Sequence, residues 1–521
     1  MKTGIFVAPE VRRYFTVTNL TGMYSGDHDV VVREVGDLLS AFTLQEMLAC
    51  IKSEGLEAVV LVEGSPIRFA GQEGARYILD TLVKSGINWN HITFVNLVEQ
   101  VIHVHPAGTK LALDKAKLLM AAGLEKVRTS PAVKSREVAP RQATAVIGAS
   151  SGGIACAQRL LERGYRVYLI DPRRDPADFC PEAEFLFAKS YTVNHPRLGK
   201  FLGARLKDVW GFEGDFTIQL ESAGEEAEIQ VGAIVLADVE HPELLAQLHP
   251  LFGVDVAEDC QESDMLALEQ VVDGIYVVRH EGRSYWEIMA VANSVVLSVL
   301  ALFSQREIYH PVLVSQVNEE FCGGCGTCVK TCMFHASSID PRRNVSVIDV
   351  TRCKGCGNCV TSCPAGARDL LSHPQKYLFR AVEILAQYED KPKVLALACD
   401  GCGYAALDEM GHHGQGYPEG LLPVAVRCGG AVDTQLILHA FHVGFDGVMI
   451  FRCPDGKCHN IVGNLDLDRR ANLFREILRS RGIADDRLRI VDSHPSEFSR
   501  CREAIHEVIQ VCGTGGVANA G

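Results

Sequence analysis

Residues 321–334 read Phe-Cys-Gly-Gly-Cys-Gly-Thr-Cys-Val-Lys-Thr-Cys-Met-Phe, and residues 352–365 read Arg-Cys-Lys-Gly-Cys-Gly-Asn-Cys-Val-Thr-Ser-Cys-Pro-Ala. Both stretches have the spacing C-x2-C-x2-C-x3-C. They supply Cys322, Cys325, Cys328 and Cys332, then Cys353, Cys356, Cys359 and Cys363. Gaps of two residues let a backbone curl around one corner of a metal centre. Gly323, Gly324, Gly326, Gly355 and Gly357 permit that curl, because glycine accepts positive φ and leaves amides close to the ligands. Paired Cys-x2-Cys units also hold zinc. Two complete runs in tandem favour two [4Fe–4S] clusters instead.

Downstream, three apolar segments each end in cysteine. Residues 394–398 run into Cys399 and Cys402, residues 424–427 into Cys428-Gly429-Gly430, and residues 448–452 into Cys453, Cys458 and His459. An apolar-periodic helix over 433–443 is long enough for a parallel crossover. Parallel strands present their carboxyl ends at one sheet edge, so the five thiols are expected to converge there. Such a set suits a [2Fe–2S] cluster or a structural zinc, and the upstream runs favour the redox cluster. Which four of the five bind is left open by the spacing. His459 is read first as a plain surface or packed histidine, with outer-shell donor or spare ligand as alternatives.

Upstream, residues 143–147 form a short strand, followed by Gly148-Ala149-Ser150-Ser151-Gly152-Gly153, a helix to 163 and a strand ending at Asp171. Gly148, Gly153 and Asp171 match the first glycine, third glycine and ribose-binding acid of a dinucleotide fold. Ser150 stands where the second glycine belongs; Ser151 and Gly152 offer amides at the helix start. The segment is read either as an FAD site or as a Rossmann scaffold without its ligand.

The expected fold is α/β and multidomain. A small N-terminal α/β domain (1–126) has strands at 4–8, 58–62 and 91–95 and helices at 43–53, 75–84 and 111–122. A linker (127–142) leads to a Rossmann-like, degenerate FAD-binding domain (143–305). A two-cluster α+β ferredoxin domain (306–375) and a C-terminal parallel α/β cluster domain (376–521) complete the order.

Composition narrows the function classes. With 47% hydrophobic and 22% charged residues over 521 positions, the chain has ample core for several domains. A formal charge of −14 argues against nucleic acid as a partner. The N-terminal residues lack a signal-peptide pattern, so the expected location is cytoplasmic, with any membrane association through a partner. Clustered thiols there are metal ligands rather than disulfides. The apolar stretch 288–303 is short for a span and reads as a buried helix. Cys50, Cys156, Cys180, Cys260, Cys501 and Cys512 are isolated and read as small buried residues. His103 and His105 read as structural, and His412 and His413 as a loop pair that is either partner-facing or simply solvated.

These motifs resemble known families. Each four-cysteine run, the second closed by Pro364, resembles the bacterial ferredoxin pattern, in which the fourth cysteine reaches the other cluster. That resemblance assigns Cys322, Cys325, Cys328 and Cys363 to one cluster, and Cys353, Cys356, Cys359 and Cys332 to the other. Met333 stands where the pattern has proline. Residues 394–509, with the three cysteine motifs and Gly463-Asn464, resemble the delta subunit of methyl-viologen-reducing hydrogenase, a [2Fe–2S] electron-transfer protein; Ala431 replaces that family's usual arginine. Residues 1–370, with Asn96-Leu97-Val98-Glu99-Gln100, look like a shortened A subunit of heterodisulfide reductase. The fusion is similar to the B subunit of the quinone-interacting membrane-bound oxidoreductase complex. Val278-Arg279-His280-Glu281-Gly282 replaces the usual Gly-Asp of the flavin domain, and a single Cys50 implies no further N-terminal cluster.

The resemblance implies an iron–sulfur electron-transfer component of a multisubunit oxidoreductase of heterodisulfide-reductase type. Its implied partners are the B-like and C-like subunits of heterodisulfide reductase, a hydrogenase, a formate dehydrogenase or a sulfur-compound reductase. No catalytic residue is expected, since no acid–base or Cys-Cys-Gly signature is present. A flavoenzyme acting through FAD and a zinc-bound scaffold are the competing readings.

Overall fold

The computed structural model describes residues 1–514 except 107, 175–194, 238, 240, 253–269 and 281, so Cys180, Cys260 and Glu281 lie outside the described residues. The chain divides into two compact units: Met1–Lys134 together with Pro311–Gly521, and Ser135–His310.

The first unit holds two parallel four-stranded sheets. In the N-terminal one the order is Val30–Glu34, Thr3–Val7, Ala58–Glu63, Ile92–Asn96. Ala58–Glu63 is buried along its whole length, as expected of a continuous apolar run in a parallel sheet covered on both faces. Each Val or Leu buried there contributes roughly 1.5–3 kcal/mol. The strand Val30–Glu34 was not expected from sequence; its residues are half-buried or exposed, as suits an edge.

The C-terminal sheet has the order Leu421–Val426, Val394–Cys399, Gly447–Arg452, Leu488–Asp492, again all parallel. Helix Lys110–Thr129 runs past the expected end at 122, because Gly123, Leu124 and Val127 are still buried; Ser130 and Pro131 then stop it. It shares a core with helix Gln375–Leu385, whose Leu378, Ala381, Val382 and Leu385 pack with Ala116 and Met120, and with Leu395 and Leu422 of the C-terminal sheet. The N-terminal and C-terminal α/β segments therefore close on one another instead of standing as separate beads.

Between them in sequence lie two antiparallel strand pairs. Ser315–Val317 pairs with Arg368–Leu370, and Ser337–Asp340 with Val345–Ile348. Short helices Thr327–Thr331 and Asn358–Thr361 each begin after a glycine of positive φ, Gly326 (74°) and Gly357 (89°).

The second unit carries a six-stranded sheet in the order Gln270–Val272, Ile275–Val278, Ala233–Ala237, Ala143–Ile147, Arg166–Asp171, Leu198–Leu202. A three-stranded antiparallel sheet, Ala204–Phe212, Asp215–Ser222 and Glu225–Val231, fills the stretch after Asp171. Helix Tyr285–Ser304 is long and apolar enough to cross a membrane by length and composition. It starts earlier than the apolar run because Ser284 and Glu287 form a capping box. Ala292, Val295, Val296 and Val299 are buried in the core with Ile154 and Leu160, whereas Trp286 and Leu297 are exposed.

Candidate metal centres

The two four-cysteine runs fold as near repeats. Each carries two glycines in the left-handed conformation: Gly324 (65°) and Gly326 in the first, Gly355 (63°) and Gly357 in the second. Gly323 needs no such conformation. The Ala336 amide donates to Cys332 Sγ at 3.4 Å, and the Ala367 amide donates to Cys363 Sγ at 3.3 Å. Amides aimed at sulfur favour the thiolate form.

One small cavity is lined by Cys322, Cys325 and Cys328 together with Cys363 from the other run. A second is lined by Cys353, Cys356 and Cys359 together with Cys332. Each cavity thus gathers four sulfurs, three local and one exchanged, a donor set that fits a [4Fe–4S] cluster. Burial pushes the Cys356 thiol up to about 12, so an adjacent cation is needed to hold it as thiolate.

The third site lies at the carboxyl edge of the C-terminal sheet. Cys399 ends one strand, Cys428 follows the next by two residues, and Cys453 follows the third directly. Cys402 sits in a π-helical turn, Asp400–Tyr404, and Cys458 in the loop after Cys453. All five thiols are buried in one cluster. Cys399 Sγ lies 3.8 Å from Cys453 Sγ, and the Gly403 amide donates to Cys399 Sγ at 3.3 Å.

His459 lies at this site, as its outer-shell and ligand alternatives allow and contrary to its first reading as a plain surface or packed histidine. Its Nδ1 is 3.4 Å from Cys453 Sγ and 3.7 Å from Cys402 Sγ. These three groups could hold one ion. Spacing alone does not contain this side-chain geometry.

Hydrogen bonds from Cys402 and Cys453 hold the Cys399 thiol well below its usual range. Bonds from Cys428 and Cys453 hold Cys458 down to about 2, while Cys428 and Cys453 are pushed up. Thiols this close cannot all ionise without a counter-charge, so a bound cation would be needed to hold all five as thiolates. The donor set fits a [2Fe–2S] cluster or zinc.

Three surrounding residues fix the loop. Arg452, only 7% exposed, pairs with Asp455, Asp468 and Asp492 at 2.8, 3.1 and 3.1 Å and donates to the Cys453 carbonyl at 3.0 Å. Asn464 donates to the Cys453 and Pro454 carbonyls at 3.2 and 2.8 Å. A Cβ on Gly463 would lie 2.3 Å from Cys428 Sγ. A Cβ on Gly357 would come within 2.5 Å of the Ala431 Cβ, so the second run closes tightly on this loop.

The second run reaches the third site. Cys356 packs against the five-thiol cluster. Thr361 Oγ1 donates to the Gly430 carbonyl at 2.9 Å, and Asn358 Nδ2 donates to Asp466 at 3.3 Å.

The glycine turn of the second unit differs from its expected use. Gly148 has the left-handed φ of 102°, and a Cβ on Gly153 would lie 2.1 Å from the Gly148 carbonyl, as helix–strand packing in this motif demands. Asp171, however, is fully buried. Its Oδ2 accepts from the Ala149 amide (2.7 Å) and Arg173 Nη2 (2.9 Å), and its Oδ1 from the Arg173 amide (2.9 Å) and Nε (2.8 Å). A carboxylate offers about four acceptor positions, and all are filled. Ser150 Oγ lies 3.0 Å from His280 Nε2, and Ser150 and Ser151 are both 3% exposed. A Cβ on Gly152 would meet Val278, His280 and Ile288. These residues do not fit an FAD whose ribose is held by Asp171.

Among the isolated cysteines, Cys156, Cys501 and Cys512 are buried and Cys50 half-buried. His105 Nε2 lies 3.0 Å from Lys115 Nζ in the core. His413 stacks on Phe498.

Comparison with known proteins finds matches to both cysteine-rich regions. Residues 394–513 match the family model described as methyl-viologen-reducing hydrogenase, delta subunit. The iron-sulfur D subunit of the F(420)-non-reducing hydrogenase of Archaeoglobus profundus is 34% identical over 119 residues, 23% of this chain and 87% of that one. The iron-sulfur D subunit of the vhc F(420)-non-reducing hydrogenase of Methanococcus voltae is 31% identical over 126 residues, 24% of this chain and 88% of that one. The chain belongs to the delta-subunit family.

Residues 321–367, and residues 345–405, which overlap the start of the delta match, match models of 4Fe–4S dicluster domains. The A subunit of the ferredoxin/F(420)H(2)-dependent CoB–CoM heterodisulfide reductase of Methanosarcina acetivorans is 29% identical over 222 residues, 43% of this chain. The match spans 28% of that relative's length. The chain thus joins a delta domain to a region homologous to the heterodisulfide reductase A subunit. Among solved structures, L-proline dehydrogenase from P. horikoshii shares 12% identity over 33% of this chain and 60% of that one, with a TM-score of 0.23. A likeness that slight carries no argument.

Proposed function

We propose that this chain is the iron–sulfur electron-transfer component of a multisubunit oxidoreductase of heterodisulfide-reductase type. Clusters bound at its three thiol sites would supply one-electron carriage: two [4Fe–4S] at the four-cysteine runs and one [2Fe–2S] at the delta site. The chain's own contribution is placement. It buries the five delta thiols, Cys328 and Cys359, aims amides at several of the sulfurs and sets the second run against the delta thiols.

The observation that carries this reading is the packing of Cys356 against the buried cluster of Cys399, Cys402, Cys428, Cys453 and Cys458. A ligand of one redox site touching the ligands of another is the arrangement that short-range electron passage needs. A zinc scaffold has no use for such contact. Substrate chemistry is assigned to partner subunits, of the kinds that heterodisulfide reductases and hydrogenases assemble, and the location to the cytoplasm.

Anaerobically purified chain should contain about ten iron and ten sulfide, from two four-iron and one two-iron centre. Reduced samples should show magnetic interaction between the second-run centre and the delta centre. Zinc in place of iron overturns the proposal.

A further inference from the structure

The two four-cysteine sites share one buried cation. Arg368 follows Cys363-Pro364-Ala365-Gly366-Ala367 and is 4% exposed. At the matching position of the first run, after Cys332-Met333-Phe334-His335-Ala336, stands Ser337. At these matching positions the near repeat therefore carries one buried guanidinium for two sites.

Its partners are three buried serine hydroxyls. Nη2 donates to Ser346 Oγ at 2.7 Å and to Ser337 Oγ at 3.0 Å, and Nη1 donates to Ser315 Oγ at 3.4 Å. Nε has no hydrogen-bond partner, and no carboxylate pairs with this side chain among the described residues. A buried charge without a counter-ion is costly, and a guanidinium does not relieve that cost by losing its proton.

The serines point to where the counter-charge lies. Ser346 Oγ is 3.3 Å from Cys328 Sγ, and the Ser346 amide donates to Cys322 Sγ at 3.3 Å. Ser315 Oγ is 3.3 Å from Cys359 Sγ. Arg368 itself lines the cavity of Cys322, Cys325, Cys328 and Cys363, whereas Ser315 and Ser337 line the other. With the guanidinium donating to it, Ser315 can turn its hydroxyl hydrogen toward Cys359; Ser346 Oγ donates to the Ser338 carbonyl at 3.1 Å, and Ser346 serves the first site through its amide.

We propose that Arg368 is a positioning residue that serves as the shared counter-charge of both four-cysteine sites and eases the uptake of an electron at each. This rests on the iron–sulfur reading above. Each one-electron reduction adds one negative charge at a site; Arg368 exchanges no proton, and its fixed positive charge favours the reduced form.

The test is an EPR-monitored reductive titration, with dithionite, of the anaerobically purified full chain and its Arg368→Lys, Arg368→Met and Arg368→Gln variants. Arg368→Met and Arg368→Gln should lower the reduced fraction at both sites at a fixed potential, by tenfold or more in reduced-to-oxidised ratio, about 59 mV for a one-electron couple. Arg368→Lys should keep most of the wild-type potential. Unchanged potentials in the uncharged variants, or an equal fall in Arg368→Lys, would overturn the proposal. If the uncharged variants fail to hold iron, the lysine variant decides: iron retained only with lysine supports the counter-charge, and iron lost there too makes the role one of packing. Absence of iron from wild type would instead defeat the underlying iron–sulfur reading.

Discussion

Asn96 Nδ2 donates to Asp408 Oδ1 at 2.9 Å, tying the end of the N-terminal sheet to the helix that follows Cys402. Gln100 Nε2 donates to the same oxygen, and Tyr417 Oη donates to Gln100 Oε1 at 2.5 Å. Glu99 Oε2 accepts from the Ser65 amide at 2.8 Å. Asn96 and Gln100 thus build a buried junction between the N-terminal segment and the delta domain, while Glu99 braces Ser65 within the N-terminal segment. A Cβ on Gly411 would lie 2.2 Å from the Glu99 carbonyl, so the two backbones meet there without room for a side chain.

Asp408 makes this junction pH-dependent. Burial pushes its carboxyl up to about 7, against the Gln100 and Ser65 hydrogen bonds. The folded chain then holds a proton that the unfolded chain has released above pH ~4. Between about pH 4 and 7 the folded state binds more protons, so this group's contribution is full at low pH and is lost as pH rises. Asp408→Asn keeps the acceptor oxygen and removes the charge. Relative to wild type it should gain stability from pH 4 to 8, by up to about 4 kcal/mol, in paired denaturant titrations. Glu63, also pushed to about 7 by burial, is present in both proteins and cancels.

The exchanged cysteines predict a pattern of non-additivity. Cys363→Ser and Cys325→Ser should each remove about four iron atoms, and the double variant no more than either single. Cys363→Ser with Cys356→Ser should remove both four-iron centres. If Cys363→Ser and Cys356→Ser instead fail to add, each run ligates locally.

The strand-to-cysteine junctions were legible because parallel strands are continuous apolar runs. Expected strands at 394–398 and 448–452 are found as Val394–Cys399 and Gly447–Arg452, with the crossover helix at Thr434–His442 against an expected 433–443. Leu488–Asp492 escaped notice because an edge strand with Arg489 and Asp492 lacks that signal. The closure of helix Lys110–Thr129 on the delta domain was also hidden. Lys115 is fully buried, where Tyr417 offers its ring to the ammonium at 4.7 Å, and no periodicity rule places lysine in a core. At the glycine turn the motif was readable, but the occupation of Asp171 by Arg173 depends on side-chain geometry that spacing does not contain.

The run glycines are not equivalent. Gly324 has φ of 65° and a Cβ there would lie 2.4 Å from the Asn344 carbonyl, whereas a Cβ on Gly323 meets nothing within 4 Å. Gly323→Ala should retain full iron. Gly324→Ala combines backbone strain of about 1–3 kcal/mol with a backbone clash and should lose iron from the first centre. Iron analysis of the two variants side by side checks this.

Gly463 offers the sharpest test of the delta site, because it separates close packing from ligation. A Cβ there would lie 2.3 Å from Cys428 Sγ and 3.4 Å from Cys458 Sγ, yet Gly463 supplies no ligand atom of its own. Its helix, Gly463–Ser480, is anchored through Arg470, which donates to the Gly430 carbonyl at 2.7 Å, so the helix start cannot back away without pulling the Cys428 loop along. Gly463→Ala should therefore displace Cys428, at an overpacking cost of about 1–3 kcal/mol. Its expected signature is loss of the delta-site metal with the four-iron centres intact, read by metal analysis and EPR. Full metal content in that variant would mean that Cys428 is the one thiol of the five that the centre does not use.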